Sequence, residues 1–429
     1  MRSRSGRSSR LARWLYSLTI TLLSPLIWWR VWREWAPTHK RRERLGFIQV
    51  SGSRPRLWLH AASVGEVVTA TPLIRALLTD HPDHDLIITT MTATGAERVR
   101  QSFGDRVSHH FLPLDFPGSA QRFIARLNPR LAIIAETELW PNLLAACQRR
   151  NVPVVVANGR LSAGAFRLYR RFGALSHGML ETLAWIGAKS PVDAERFISL
   201  GAPAARVTVT GALKFDLDVD DETRQASRQL RTSWGTRPVW IAGSTHPGEE
   251  AQVLIAHAAL RRRFPEALLI LVPRHPQRFD EVNAHCLEAG ERVQRLSAKP
   301  TLTASTTLLL GDTMGDLMKL YGCADVAFVG GSLTPIGGHN LLEPAALGIA
   351  VVSGPYLDNL REIADTLAQS HARIQIDDGQ ALGEILIALL SDDERRHELG
   401  EAGRAVVAAN RGALAQTREK ITALLNEPC

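Results

Sequence analysis

The segment SVGE, residues 63–66, places a carboxylate where either helix capping or proton transfer could be its task. The apolar run RLWLHAA precedes it, and the helical pattern VVTATPLIRALLTD follows. Ser63 and Glu66 fit a capping box, in which the glutamate accepts a hydrogen bond from the cap's backbone N–H. The positive end of the helix dipole would also lower the pKa of Glu66 and keep it ionised, as a general base must be. Gly65 leaves room for a substrate, so one geometry can serve both roles.

A second group of charged residues lies near the end of the run LAIIA and in the middle of the chain. Glu136 and Glu138 follow LAIIA, and side chains two apart on a strand share a face. The alternative is that both glutamates cap the next helix. Lys214, in GALKFD, is predicted to be a mobile cation that could neutralise an anionic sugar or phosphate. The alternative for Lys214 is a solvated linker lysine.

A glycine-rich segment, GGSLTPIGGHNLLEP, indicates a phosphate site in the second half of the chain. Gly337 and Gly338 let the backbone approach a ligand, and a helix start offers free N–H groups to a phosphate. Pro344 is predicted as the first helical residue, and Glu343 could accept hydrogen bonds from a ribose diol. The alternative is a flexible loop whose glutamate favours the helix dipole. The segment matches neither G-x-G-x-x-G nor a P-loop, so a dinucleotide or triphosphate site is not supported.

Further candidates follow other strands of the second half. Arg274 and His275 lie in PRHPQRF, where the planar fork of an arginine suits phosphate oxygens. The alternative is a surface salt bridge beside a proline turn. The segment GDTMGD offers either ligand contacts or a plain helix cap. The remaining candidates in these segments and in GSTHPGEE are Ser244, Thr245, His246, Asp312, Thr313, Gly315 and Asp316.

These segments belong to an alternation of short apolar strands with amphipathic helices, which predicts parallel sheets covered on both faces. The alternation lapses in the polar stretch around residues 216–237 and then restarts. We therefore predict two doubly wound α/β domains, over residues 51–212 and 238–429, with a linker at 213–237. Ligands of such sheets bind beyond the carboxyl ends of the strands. Seven strand ends carry polar, glycine-rich or ionisable clusters, which predicts one site facing a cleft.

The first 50 residues differ from the rest of the chain. They hold ten Arg and one Lys against two Glu, a formal charge of +9, so the remainder carries about −1 of the total +8. A chain-wide nucleic-acid surface is therefore excluded. Residues 14–29 are sixteen residues without a charge, and five of the ten tryptophans lie in this run or just after it. This pattern predicts a membrane anchor over residues 1–50, either one short span or an interfacial helix.

The four cysteines are Cys147, Cys286, Cys323 and Cys429, and no pair has C-x-x-C spacing. The cysteines therefore predict neither a metal site nor a redox-active pair, and a disulfide framework is not expected in a chain this large. We expect reduced cysteines. No cofactor and no metal ion are expected.

Seven motifs in order, HAASVGE, ETELWPN, NGRLS, STHPGEE, PRHPQRF, DTMGD and GGHNLLEP, resemble those of the 3-deoxy-D-manno-octulosonic acid (Kdo) transferases. The resemblance covers residues from about 58 to 362. The departures are Ala62, Gly159 and Leu341, where Val, Ala and Pro are commoner. None removes a functional group, although Leu341 alters the nucleotide loop slightly.

The resemblance implies a GT-B glycosyltransferase at the cytoplasmic face of the inner membrane, which moves Kdo from CMP-Kdo to the lipid A precursor lipid IVA. It implies that Glu66 is the proton acceptor and that Glu136 and Lys214 support the transition state. The residues implied to hold CMP are Arg274, His275, Met314, Gly315, Asp316, Asn340, Leu341, Leu342 and Glu343. Two alternatives stay open: a GT-B enzyme that uses a UDP-sugar, and a non-catalytic nucleotide- or lipid-binding membrane module.

Overall fold

The structure, a computed structural model, describes residues 2–33, 41–217 and 219–427. The chain divides into two units. Met1–Asp216 and Arg411–Cys429 form the first unit, and Leu217–Asn410 forms the second.

In the described part of the first unit, seven parallel strands form one sheet. The strands are β1 (Arg56–His60), β2 (Asp85–Thr90), β3 (Ser108–Phe111), β4 (Leu131–Ala135), β5 (Val154–Gly159), β6 (Trp185–Ala188) and β7 (Val207–Val209). Their order in the sheet is β3-β2-β1-β4-β5-β6-β7. Leu57 of β1 pairs with Leu86 of β2 on one side and with Leu131 of β4 on the other. Chain order reverses between β1 and β4, which makes their carboxyl ends the switch point where such sheets bind ligands.

Helices cover both faces of this sheet. They are α1 (Arg2–Leu22), α2 (Ser24–Arg33), α3 (Val64–Asp80), α4 (Ala93–Phe103), α5 (Pro117–Leu127), α6 (Pro141–Arg149), α7 (Ala163–Arg171), α8 (Gly173–Leu180) and α9 (Pro191–Ser199), with α18 (Ala413–Asn426) from the end of the chain. Along β1, Leu57 and Leu59 enter one buried core, and Trp58 enters the core on the opposite face. This alternation with period two, in a strand whose three central residues are apolar, is typical of a sheet buried on both sides.

The described part of the second unit repeats the architecture. Its strands are β8 (Val239–Thr245), β9 (Leu268–Pro273), β10 (Val293–Arg295), β11 (Leu308–Leu310), β12 (Val326–Val329), β13 (Ala350–Ser353) and β14 (Arg373–Gln375). Its helices are α10 (Asp221–Ser233), α11 (Glu249–Arg263), α12 (Phe279–Glu288), α13 (Leu317–Tyr321), α14 (Leu342–Ala346), α15 (Arg361–Gln369), α16 (Gly379–Ser391) and α17 (Asp393–Ala409). The parallel order is β10-β11-β9-β8-β12-β13-β14, so the switch point lies between β8 and β12.

The two predicted doubly wound α/β domains are confirmed as two parallel-sheet α/β units. Strands β3, β6, β7, β10 and β14 were not predicted, because the segments SHHF, WIGA, VTV, VQR and RIQ are short and mostly lack a continuous apolar run. Four of these five lie at an edge of a sheet, where only part of each strand is buried.

The boundaries differ from the predicted ones at two places. Residues 221–233 of the predicted linker form helix α10, which belongs to the second unit, where the Ser227 hydroxyl donates to the Lys319 carbonyl at 2.9 Å. The last helix, α18, was assigned to the second domain but packs on the first. Ile421 and Leu425 enter the core that contains Leu57 and Leu59, an apolar destination that sequence position does not reveal.

The N-terminal segment forms two helices with a break at Leu23. Helix α1 packs on α8 so closely that a Cβ on Gly178 would lie 2.6 Å from the Cβ of Ser9. The hydroxyl of Ser17 donates to the side-chain oxygen of Asn142, on α6, at 2.9 Å. Over residues 2–33, 41–217 and 219–427, no helix has the length and apolar character needed to cross a membrane. The predicted single span is therefore not supported.

The Asp216 carboxylate caps the start of α18, where it accepts hydrogen bonds from the N–H groups of Gly412 at 2.6 Å and Leu414 at 2.7 Å. Asp216→Ala should lower the free energy of unfolding by about 1–2 kcal/mol, because two helix-start N–H groups lose their partner. Hydrogen exchange should show faster exchange across residues 413–426.

The matched control is Asp220→Ala, which removes the cap of α10 in the second unit. That variant should leave exchange in residues 413–426 unchanged. Equal exchange rates for this helix in wild type and Asp216→Ala would show that Asp216 does not hold it.

Candidate active site

Glu66 lies in the first turn of α3, directly beyond the carboxyl end of β1. Ser63 is the N-cap of α3, and its hydroxyl accepts the Glu66 N–H at 3.4 Å and donates to Glu66 Oε1 at 3.0 Å. Glu66 Oε2 accepts the backbone N–H of Ala62 at 2.7 Å. The predicted capping box therefore exists in a modified form, because the returned bond goes to the residue before the cap. Both carboxylate oxygens are held in place.

The predicted lowering of the Glu66 pKa was wrong. Burial raises its pKa from 4.5 to about 7, and the nearby Glu136 and Glu138 raise it further. The hydrogen bonds from Ala62 and Ser63 act in the opposite direction but do not offset burial. Desolvation therefore outweighs the stabilisation of the ionised form at the helix start. A carboxyl group with this pKa exchanges its proton near neutral pH.

Glu136 and Glu138 lie in a turn after β4, on the other side of the switch point from Glu66. Strand β4 ends at Ala135, and Glu136 has a left-handed backbone with φ of 57°, so the shared strand face that was predicted does not exist. Burial raises the pKa of Glu138, and the charge of Glu136 adds to that effect. The fold thus brings three carboxylates together beside the switch point.

The alternative, in which these glutamates cap the next helix, is also wrong. The Asp115 carboxylate caps α6, where it accepts the N–H groups of Asn142 at 2.9 Å and Leu143 at 2.8 Å. Asp115 precedes Asn142 by 27 residues, so no local pattern indicated this role. Because Asp115 satisfies the helix start, Glu136 and Glu138 are not needed there.

Lys214 is not part of a solvated linker. It lies in the 3₁₀ turn Leu213–Phe215, between two buried side chains, and its ammonium lies 5.9 Å from the centroid of the Phe215 ring. The N–H of Leu213 donates to the Asn158 side chain at 3.2 Å. The Leu213 side chain packs in the core with Val67 of α3. The turn that carries Lys214 is therefore anchored beside the helix that carries Glu66.

A buried glutamate that was not singled out, Glu249, organises the switch point of the second unit. Its carboxylate accepts the N–H groups of His246 at 2.9 Å, Gly331 at 2.7 Å, Ser332 at 3.0 Å and Leu333 at 2.9 Å. One donor follows β8 and three follow β12. Glu249 is fully buried, and burial raises its pKa despite the four hydrogen bonds. The motif STHPGEE contains this residue, but only the tertiary structure shows what it binds.

Three histidines meet above this glutamate. Nε2 of His246 lies 2.7 Å from Nε2 of His339, and the two rings stack with centroids 5.0 Å apart. The His275 ring lies edge-on to His246 at 5.3 Å. Burial, followed by the charges of His246 and Arg274, lowers the pKa of His339 to about 4. In the described part of the chain, no set of three or more His, Cys, Asp or Glu side chains is arranged to hold a metal ion.

Arg274 is exposed beyond β9 and makes no ion pair with any described residue. The salt-bridge alternative for this motif applies to Arg278 instead, which pairs with the buried Glu250 at 2.7 Å. The positive charge of Arg274 affects the pKa values of His246, His339 and Glu343. The cation therefore lies among the other candidates of the second unit.

The loop before α14 holds its predicted residues in a different arrangement. The Asn340 side chain accepts the Leu342 N–H at 3.1 Å and donates to Glu343 at 3.2 Å, and burial raises the pKa of Glu343. Pro344 is the third residue of this five-residue helix, not the first. The helix start therefore has fewer free N–H groups than expected, since the Leu342 N–H is bonded and Pro344 has none. The side chains of Leu341 and Leu342 are buried, so only their backbone can face a ligand.

In the GDTMGD turn, the two aspartates bind other side chains, and the residues between them include exposed ones. Asp312 is buried and accepts hydrogen bonds from Arg295 at 2.6 Å and from the Ser297 N–H at 2.8 Å. Asp316 pairs with Lys319 at 2.6 Å and does not cap α13, so the plain-cap alternative is wrong. Met314 is 65% exposed, and Gly315 has φ of 94°. The exposed part of this turn is therefore residues 314–315.

The remaining candidates give the loops their shape. Ser244 has φ of 58°, and Gly337 and Gly338 have φ of 101° and 81°. A Cβ on Gly338 would lie 2.4 Å from Leu357 Cδ2, so a side chain there would require Leu357 to move and the backbone to be strained. The buried hydroxyl of Thr245 has no hydrogen-bond partner among the described residues.

Two family models match the chain. The model of the 3-deoxy-D-manno-octulosonic-acid transferases (kdotransferase) matches residues 39–217, and that of the group 1 glycosyl transferases matches residues 236–406. The two matches correspond to the two units. The chain is thus a glycosyltransferase, in agreement with the motif resemblance.

Full-length relatives agree with these matches. The chain is 42% identical to a 3-deoxy-D-manno-octulosonic acid transferase of Haemophilus influenzae over 88% of this chain and 90% of the relative. It is 36% identical to the Bordetella pertussis enzyme of the same name, over 96% and 99%. The crystal structure of the C-terminal CMP-Kdo binding domain of WaaA from Acinetobacter baumannii is 36% identical, with a TM-score of 0.43 over 44% of this chain and 99% of that domain. From the family model and the two full-length relatives, the chain belongs to the 3-deoxy-D-manno-octulosonic acid transferase family.

Proposed function

We propose that the chain moves Kdo from CMP-Kdo to the lipid A precursor lipid IVA, with release of CMP, in lipopolysaccharide core biosynthesis. The observation that carries the proposal is Glu66, a half-buried carboxyl group beside the switch point of the first sheet with a pKa of about 7. A general base works best when its pKa lies near the working pH. Membership of the Kdo transferase family supports the choice of sugar.

In the proposed reaction, Glu66 takes the proton of the acceptor hydroxyl while the oxygen of that hydroxyl bonds to the anomeric carbon of Kdo. The bond from that carbon to the phosphate oxygen breaks, and its electron pair leaves with CMP. Attack from the face opposite the phosphate inverts the anomeric centre. Glu136 and Lys214 are proposed to support the transition state, since both lie on elements that pack around β4 and α3.

The second unit is proposed to hold CMP through the residues around its own switch point. Arg274 and His275 would face the phosphate, and a cation there stabilises the negative charge that develops on the leaving group. Residues 314–316 and 340–343 would contact the nucleoside, with Leu341 and Leu342 acting through their backbone. What supports this assignment is the shared electrostatic environment of Arg274, His339 and Glu343.

The enzyme is proposed to work at the cytoplasmic face of the inner membrane, with α1 and α2 lying in the membrane interface. Support comes from the outward face of α1, where Leu11 and Trp14 are each 60% exposed and Leu22 is 72% exposed. Arginines flank these residues along the segment. Cationic, tryptophan-containing amphipathic helices bind anionic lipid surfaces in this orientation.

Incubation of the enzyme with CMP-Kdo and lipid IVA should yield a lipid whose mass increases by one or more Kdo units. Mass spectrometry counts the added sugars. CMP should inhibit the reaction, and UDP at the same concentration should not. Transfer from a UDP-sugar, or the absence of any product, would contradict the proposed donor and acceptor.

Glu66→Gln should lower kcat about 10²–10⁴-fold, because the acceptor proton then has no carboxylate to receive it. In the wild type, kcat/KM for the acceptor should fall as pH drops through about 7, since protonation of Glu66 removes the base. This acid limb should be absent from the residual activity of Glu66→Gln. A wild-type rate for the variant would show that Glu66 only caps the helix and is not the base.

Glu138→Gln provides a matched control for the pH profile. Its loss of negative charge should shift the acid limb to lower pH, since the charge of Glu138 contributes to the raised pKa of Glu66. The folding of each variant is checked by thermal unfolding. An unchanged limb would show that another group titrates.

Glu249→Gln should raise the KM for CMP-Kdo and lower the free energy of unfolding by about 1–3 kcal/mol, because the amide group replaces an acceptor with a donor that faces backbone N–H groups. Kinetics with each substrate varied in turn measure the first effect, and chemical denaturation measures the second. Glu281→Gln, an exposed partner of Arg278, is the control and should change neither. A larger rise in acceptor KM than in donor KM would argue against donor binding at this switch point.

A further inference from the structure

The first unit contains a largely apolar groove of about 750 Å³ that the proposed chemistry does not use. Its walls are α1, the loop after β4, and the helices α7 and α8. Met179 and Leu139 close it from the core side, and both are buried. The volume lies in the range typical of small-ligand sites.

Helix α1 presents a broad apolar surface. Ala12, Leu15, Tyr16 and Thr19 line the groove, at the spacing that places side chains on one side of a helix. The exposed apolar residues Leu11, Trp14, Leu18 and Leu22 continue this surface around the helix, with exposed fractions of 60%, 60%, 43% and 72%, and Leu15 is itself 50% exposed. The groove therefore lies behind a helix whose outer face suits a lipid surface.

The groove is continuous with the carboxylates of the candidate active site. Thr137 and Glu138 form part of its wall, and the charge of Glu138 raises the pKa of Glu66. Glu138 also raises the pKa of Tyr169, another wall residue, after burial as the main cause. A molecule in the groove would thus have one end beside the proposed base.

A cation lies at the groove as well. Arg171 forms part of its lining and is exposed, at the end of α7. Arg167 and Arg170 are exposed on the same helix. An apolar groove with arginines at its rim complements a lipid with an anionic head group.

We infer that this groove binds one acyl chain of the lipid acceptor and so holds the acceptor sugar beside Glu66. The inference rests on the proposed function for the identity of the acceptor. A hydrocarbon chain fits the apolar walls, enters from the lipid-facing side of α1, and leaves the sugar at the carboxylates. The groove makes the enzyme selective for acylated acceptors.

Thr19→Trp tests the inference by filling the groove from α1. The matched control is Thr21→Trp, because Thr21 is on the same helix and, like Thr19, donates its hydroxyl to the carbonyl four residues earlier, but does not line the groove. Thr19→Trp should raise the KM for lipid IVA roughly tenfold or more, since the acyl chain loses its apolar contacts. The KM for CMP-Kdo should stay at the wild-type value. The preference for lipid IVA over its deacylated sugar should also disappear.

Vesicle sedimentation checks that both variants bind membranes equally, so that a change in KM reports on the groove. A second measurement, titration with a fluorescent fatty acid, needs no sugar transfer. Wild type and Thr21→Trp should bind this probe, and Thr19→Trp should bind it at least roughly tenfold more weakly. Equal binding and equal acceptor KM in the two variants would overturn the inference. If the wild type fails to transfer Kdo but probe binding is lost only in Thr19→Trp, the result would support the groove and refute the proposed function.

Discussion

The second unit depends on one buried carboxylate that accepts backbone N–H groups from two loops. Glu249 holds the loop after β8 through His246 and the loop after β12 through residues 331–333. These are the two strands at the switch point, so a single side chain fixes the shape of both walls of the proposed nucleotide site. Four buried N–H groups would otherwise lack a partner, at a cost of about 1–3 kcal/mol each. That cost explains why a charged residue is retained in an apolar core.

The first unit uses the same solution at different positions. Asp115 satisfies the start of α6, and Asp216 satisfies the start of α18. Because carboxylates distant in sequence cap these helices, the charged residues that follow β4 are not needed as caps. Glu136 and Glu138 then contribute negative charge beside Glu66, which raises the pKa of that carboxyl group. The carboxylates that cap helices are thus different residues from those proposed to act in the reaction.

Glu66 shows how two effects on one carboxyl group compete. Its hydrogen bonds to Ala62 and Ser63 favour the ionised form, as expected of a helix start, but burial favours the neutral form and prevails. The same contacts that fix the orientation of Glu66 also bury it. The resulting pKa, near 7, suits a group that must accept a proton in one step and lose it in the next. Capping and base chemistry are therefore compatible in one side chain.

The sequence by itself determined the alternation of strands and helices, the two-unit α/β architecture, the clusters at the strand ends and the family, because each is written in contiguous residues. Only the tertiary structure decided the strand order that places the loops after β1 and β4, and after β8 and β12, at switch points. It also decided the return of α18 to the first unit, the caps provided by Asp115 and Glu249, and the raised pKa of Glu66. Each of these depends on burial or on hydrogen bonds between residues far apart in the chain, and neither local periodicity nor spacing encodes such long-range contacts.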